Sequence, residues 1–270
     1  SIQNNPKEST ELGAVVSIMD KSIWQVFQDK NNDHWFGSNG SGIYKYDGVR
    51  LIQYTTKDGL LHNQIRGIQE DHKGNLFIET PIGVSKFNGH SFTSLIPYVS
   101  DKNKWELNDT DLWFKPHELY RYNGDTLFEL QVPKQDLKKA FGYDIEGVPF
   151  KGMNNSPYAV YGITRDEEGN MWFGFVSAGA IRYDGNSFLW FGEKELSTLP
   201  DGRVPGVRSI LQDEQGYFWL SNLSNKYEIV SDDTLVTYNK FKGIESKEFG
   251  LDQFSFFNSG LKDQYGDLWM

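Results

Sequence analysis

One motif recurs six times along the chain: an Asp, a short turn usually holding Gly, then a large aromatic residue. Asp29 leads to Trp35, Asp71 to Phe77, Asp109 to Trp113, Asp166 to Trp172, Asp213 to Trp219 and Asp263 to Trp269. The aromatic positions are 42, 36, 59, 47 and 50 residues apart, and they take five of the eight tryptophans. A period of that length marks a repeat architecture, in which each unit buries its apolar surface only by stacking on its neighbours.

Two further signals recur in phase. An aromatic-Asp/Asn-Gly triplet appears as Tyr46-Asp47-Gly48, Phe87-Asn88-Gly89, Tyr122-Asn123-Gly124 and Tyr183-Asp184-Gly185. Asp-Gly and Asn-Gly supply the positive φ of tight hairpin turns. Upstream of the Asp lies an apolar-x-small-apolar stretch, as in Ile65-Arg-Gly67-Ile68, Val160-Tyr-Gly162-Ile163 and Val207-Arg-Ser209-Ile210. Each repeat therefore reads as four short strands: A ending at the Asp, B carrying the Trp, then C, the Asp-Gly turn, and D. Four antiparallel strands per roughly 40–50 residues is the unit of a β-propeller. Composition agrees, with 15% aromatics, 27 glycines and five alanines; aromatics favour strands and Ala favours helices. Helical bundles, Rossmann folds and (β/α)8 barrels are thereby disfavoured.

The expectation is an all-β fold, one β-propeller over residues 1–270, with six blades and seven as the runner-up. The third repeat, about 104–130, lacks the Gly turn, and the fifth replaces the triplet with Ser231-Asp232-Asp233. Residues 131–157 form an insertion between the third and fourth blades, with a short helix around Asp136 to Phe141. It leaves a D strand and returns to an A strand, so it is expected over the top face, which carries the D-to-A and B-to-C loops. The sixth repeat stops inside strand B, so the last blade is incomplete or is closed by an N-terminal strand, Ala14 to Met19. The polar stretch Ser1 to Thr10 reads as a start from which a leader or tag has been removed.

The string Asp166-Glu-Glu-Gly-Asn-Met-Trp-Phe-Gly174, followed by Ala180-Ile-Arg-Tyr-Asp-Gly185, resembles the two-component regulator propeller repeat. So do Asn32-Asp-His-Trp-Phe-Gly-Ser38, Gly42-Ile-Tyr-Lys-Tyr-Asp-Gly48 and Tyr54-Thr-Thr-Lys-Asp-Gly-Leu60. The likeness covers about 22–95 and 157–219 well, and about 104–130 and 254–270 weakly. It implies a solitary propeller or an excised extracytoplasmic sensor domain of a bacterial hybrid histidine kinase, periplasmic or a surface lipoprotein. It also implies a small polar ligand or oligosaccharide and a signalling partner protein. The motif residues are turn and packing residues, so they identify no ligand.

The formal charge of −10 disfavours nucleic acid and anionic membranes. No apolar run approaches the ~18 residues of a membrane-spanning helix. With no Cys, disulfides, thiolate metal sites and a Cys nucleophile are absent. Asp29 to Asp33 matches half of a calcium loop, but His34 and Gly40 stand where Gly and Glu are required, and a hairpin turn explains the run better. No pair among the five histidines has metal-ligand spacing, so neither a metal nor another cofactor is expected.

Propellers bind ligands at the top mouth of the central channel. There the second residue of the A stretch reads Trp24, Arg66, Tyr161, Arg208 and Asn258, polar or aromatic where packing alone would favour an aliphatic side chain. Arg pairs with carboxylates and hydroxyls, and aromatic rings offer stacking faces. His62, Trp105, His117 and Tyr158 fall in adjoining loops. These nine form the candidate ligand-binding set of a non-catalytic sensing or binding module. A polysaccharide or cyclic-peptide lyase or hydrolase, with His62 or His117 as acid/base, and a protein-interaction scaffold are the alternatives.

Overall fold

The computed structural model describes residues 12–100, 102, 105–142, 156–197, 206–232, 235–244, 256–257, 259–263 and 265–270. They form a succession of antiparallel sheets with only short helical turns between them. Two compact units divide the chain: residues 1–99 with 110–129, and residues 100–109 with 130–270.

In the first unit, blade 1 comprises Ile23–Gln28, His34–Ser38, Ile43–Tyr46 and Leu51–Tyr54, and blade 2 comprises Gly67–Glu70, Leu76–Thr80, Gly83–Phe87 and Phe92–Ser94. In the second, blade 4 comprises Val160–Arg165, Met171–Phe175, Ala180–Tyr183 and Phe188–Phe191, and blade 5 comprises Ile210–Gln212, Phe218–Leu220, Asn225–Ser231 and Val236–Lys242. Each is a meander in the expected A-B-C-D order.

In five of the six repeats the Asp builds the A-to-B turn. In blade 4, Asp166 Oδ1 accepts from the backbone N–H of Glu168 (3.1 Å) and Asn170 (2.8 Å), and Oδ2 accepts from Trp172 Nε1 (2.9 Å). Asp29, Asp213 and Asp263 repeat the pattern, receiving the indole N–H of Trp35, Trp219 and Trp269 at 2.8, 2.8 and 3.0 Å. In blade 2 the aromatic is Phe77, which has no N–H, and Asn75 Nδ2 takes its place on Asp71 at 2.7 Å. The third residue after the Asp adopts positive φ, as Gly169 does at 90° and Asn32 at 65°. Gly is the residue that does so without steric cost.

Two strand-B tryptophans, Trp35 and Trp172, pack between blades. Trp35 lies against Tyr54 of its own blade and Phe87 of blade 2. Trp172 lies against Phe191 of its own blade and Phe218 of blade 5, the latter at 4.4 Å. Both are buried. The glycine two residues after the Trp admits the next blade's chain: a Cβ on Gly174 would stand 2.1 Å from the Val207 carbonyl oxygen. Backbone hydrogen bonds join the same places, from Ile65 N to Ser38 O and from Val207 N to Phe175 O, both 2.9 Å.

Three expectations are corrected. Among the described residues the third repeat shows no strand A: Leu112–Phe114, Leu119–Tyr122 and Leu127–Leu130 are joined by Tyr98–Val99, which pairs in parallel on the outer edge. The polar, charged stretch before Asp109 supplies no apolar-x-small-apolar pattern. The N-terminal strand, Ala14–Val16, pairs with Leu51–Tyr54 and adds a fifth strand to blade 1 instead of closing the last blade. The last blade comprises Leu261–Lys262 and Leu268–Trp269 among the described residues. Besides the expected helix, Leu137–Phe141 capped by Asp136, a second short helix forms at Lys194–Ser197.

Candidate functional site

The candidate residues are distributed over both units. In the first, Arg66 is half-buried and joins blades 2 and 3. Its N–H donates to Glu79 O (2.8 Å) and its Nη1 to Pro116 O (3.0 Å). Two neighbours bridge the same seam: Gln69 Nε2 donates to Trp113 O at 2.8 Å, and Glu79 Oε2 accepts from Lys115 N at 3.0 Å. Glu79 stands where blades 1 and 4 carry Gly37 and Gly174. In those blades the glycine makes room for the segment entering the next strand A. Blade 3 has no strand A among the described residues, and the Glu79 side chain bonds to its backbone at Lys115 instead.

Burial raises the Glu79 carboxyl above its ordinary value, while the charge and N–H of Lys115 and the charge of Arg66 partly oppose the rise. His117 follows Pro116, and its Nε2 lies 2.7 Å from Tyr120 Oη. His62 Nδ1 accepts from Gln64 N at 2.9 Å, a local turn bond. Trp24 is 53% exposed on the outward face of its strand.

In the second unit the Arg208 guanidinium lies 4.3 Å over the Tyr161 ring. Arg208 is exposed and Tyr161 half-buried. Burial raises the Tyr161 hydroxyl pKa, and the Arg208 charge opposes that rise. The arginine backbone, just before the blade 5 A strand, is held by Ser221 Oγ, which accepts from Arg208 N at 2.9 Å.

Trp105 packs edge-on against Phe173, Tyr183 and Phe188 of blade 4, and its Nε1 donates to Gln131 O at 3.1 Å. Tyr158 donates to Gln135 O (2.8 Å), accepts from Gln135 N (3.1 Å) and packs against Phe175 and Trp190. It thereby ties the start of the insertion to blade 4. Asn258 lies outside the described residues, as does the middle of the insertion, residues 143–155.

Sequence reasoning missed a cavity of about 490 Å³ within the second unit, lined by Gln135, Trp190, Glu193, Lys194, Glu195 and Tyr238 among others. Glu193 Oε1 accepts from Tyr238 Oη at 3.0 Å and its Oε2 from Lys240 Nζ at 2.8 Å. Lys240 also pairs with Glu195, whose Oε1 accepts from Asn225 Nδ2 at 3.1 Å. Burial disfavours the Lys240 charge, but its bonds to Glu193 and Glu195 prevail and raise its pKa. Burial, together with the Glu193 charge, raises the Tyr238 pKa as well. The one sequence signal for this place was the charged run Glu193-Lys-Glu195 directly after the blade 4 D strand. Among the described residues no three His, Asp or Glu side chains converge as a metal site would require.

No protein-family profile matches the chain, and no curated protein matches it. Solved structures do. One is the extracellular domain of a protein described as the hybrid two-component system BT3049 from B. thetaiotaomicron, with TM-score 0.55 and 16% identity. The match covers 94% of this chain and 33% of that one, so the chain spans one third of that extracellular domain's length. Another is virginiamycin B lyase from Staphylococcus aureus, with TM-score 0.52 and 11% identity over 85% of this chain and 72% of that one. At these identities the likeness is one of fold. Together with the four-stranded antiparallel blades, it establishes the chain as an all-β, propeller-type structure.

Proposed function

We propose that the chain is a non-catalytic, ligand-binding β-propeller acting outside the cytoplasm. It would take a small polar ligand or glycan fragment on the face that carries the starts of the A strands, and relay occupancy to a signalling partner. The Arg208–Tyr161 pair carries this reading. An exposed guanidinium stacked at 4.3 Å over a half-buried ring offers charged donors and an aromatic surface side by side, a combination suited to carboxylate or hydroxyl groups on a ring. The extracellular setting of the B. thetaiotaomicron domain supports the location.

The test is calorimetric titration with a panel of neutral and acidic oligosaccharides. Arg208→Ala is expected to weaken binding by about tenfold or more and to leave the urea midpoint almost unchanged, because the side chain is exposed. Unaltered affinity for a panel member that binds the wild type, or no binding by the wild type, would defeat the proposal. So would a large loss of stability in the variant.

A further inference from the structure

Four C-to-D hairpins share one turn, and its first residue divides them: Asp47 and Asp184 in blades 1 and 4, Asn88 and Asn123 in blades 2 and 3. In all four the next residue is a glycine with φ between 90 and 96°. One side-chain oxygen of the first residue accepts from the backbone N–H groups two and three positions on, at 2.7–3.1 Å.

An Asn before a glycine carries a chemistry of its own. With no Cβ on the following residue, the glycine nitrogen is free to approach the carboxamide carbon. The bond from the asparagine oxygen to the N–H two positions on folds the carboxamide back over the intervening glycine peptide. Asn88 and Asn123 are exposed, and a Cβ on Gly89 or Gly124 would meet nothing within 4 Å, so water and base reach both turns.

The two asparagines differ in what surrounds the carboxamide oxygen. At Asn88 it accepts from His90 N and Ser91 N, both at 2.9 Å, and from Ser91 Oγ at 3.3 Å. Donors aimed at that oxygen stabilise the negative charge it acquires when the carbon is attacked. At Asn123 it accepts from Asp125 N at 3.1 Å and Thr126 N at 2.9 Å, while Thr126 Oγ1 donates to the Asp125 carboxylate. The Asp125 charge disfavours an anionic intermediate two residues away. A third Asn-Gly pair, Asn39-Gly40, has its carboxamide oxygen on Gln64 Nε2 at 2.5 Å, outside its own turn.

We infer that Asn88 is a site of spontaneous deamidation, in preference to Asn39 and Asn123. The Gly89 nitrogen loses its proton to base and bonds to the Asn88 side-chain carbon. The bond from that carbon to Nδ2 breaks, and ammonia leaves with a proton from solvent. Water then opens the cyclic imide, at the side-chain carbonyl to give Asp or at the main-chain carbonyl to give isoaspartate. The sum is an amide and water giving a carboxylic acid and ammonia, with nothing oxidised or reduced. Opening to Asp gives blade 2 the residue that blades 1 and 4 already carry. There the N–H groups of Arg50 and Val49 hold the Asp47 carboxyl below its ordinary value, because a carboxylate accepts such bonds more strongly than an amide does.

The experiment incubates the full chain in ¹⁸O-labelled water at mildly alkaline pH, folded and in urea, and follows each Asn-Gly peptide by mass spectrometry. In the folded protein Asn88 is expected to take up ¹⁸O at least about threefold faster than Asn39 or Asn123, and in urea the three rates are expected to converge. Ser91→Ala, an exposed substitution, is expected to slow the folded-state rate at Asn88 about twofold or more and to leave the rate in urea unchanged. Conversion of Asn88 no faster than that of the other two in the folded protein would overturn the inference. So would the same order of rates persisting in urea, or an unaltered folded-state rate in Ser91→Ala. Asn88→Asp, the product itself, is expected to raise the urea midpoint, and a lowered midpoint would overturn the fit of the product to the turn.

Discussion

At the scale of single residues, the Asp of four repeats, Asp29, Asp166, Asp213 and Asp263, does more than cap a turn. One carboxylate oxygen collects two backbone N–H groups, and the other anchors the indole six positions on, which fixes the Trp rotamer before the next blade packs on it. The contribution depends on burial. Asp166 is buried and also pairs with Arg182 at 3.3 Å. Asp166→Ala would strand buried donors and a buried cation, and is expected to cost about 2–4 kcal/mol in urea unfolding. Asp263 makes the same bonds where Trp269 is 64% exposed. The hydrogen bond from Trp269 heads the causes that hold its carboxyl below the usual range, yet water can replace every partner. Asp263→Ala is expected to leave the midpoint almost unmoved, and equal losses in the two variants would refute the dependence on burial.

At the scale of elements, the seam between blades 2 and 3 departs from the repeat. Where blades 1 and 2, and blades 4 and 5, meet through a strand entry and a glycine, this seam uses the side chains of Arg66, Gln69 and Glu79 against backbone groups at Trp113, Lys115 and Pro116. Arg66, a ligand-binding candidate by its position, donates to this seam. Glu79 gives the seam a pH dependence. Its carboxyl is raised by burial above the ordinary 4.5, so the folded state holds this proton more tightly than the unfolded chain does. The resulting stability is fully present below pH 4.5 and is lost as pH rises through the folded-state value. Glu79→Gln removes that loss. Its stability relative to wild type is expected to improve on going from acid to neutral pH, measured as urea midpoints. A difference independent of pH would show that the carboxyl is not titrating in this way.

At the scale of the whole molecule, the chain is a run of small antiparallel sheets in two compact units, with a formal charge of −10. That charge is expected to prevent retention on a heparin matrix at low salt, because polyanions are repelled; retention would reveal a basic surface that the net charge conceals. The blades were legible in the sequence because their determinants are local. The Asp-to-Trp bond spans six residues, the Asp-Gly turn spans four, and strand alternation has a period of two. The same locality explains the misses. Ala14–Val16 joins a strand some 37 residues away, Trp105 reaches the face of blade 4, and Gln135 and Tyr238 meet at one cavity from opposite ends of the second unit. Nothing in the spacing of those residues encodes their partners. The sequence by itself determined the repeat, its turns and the propeller class, since short-range hydrogen bonds and side-chain periodicity suffice for them. Only the tertiary structure decided which polar residues bridge blades and which line a cavity, because that depends on what long-range packing leaves buried or open.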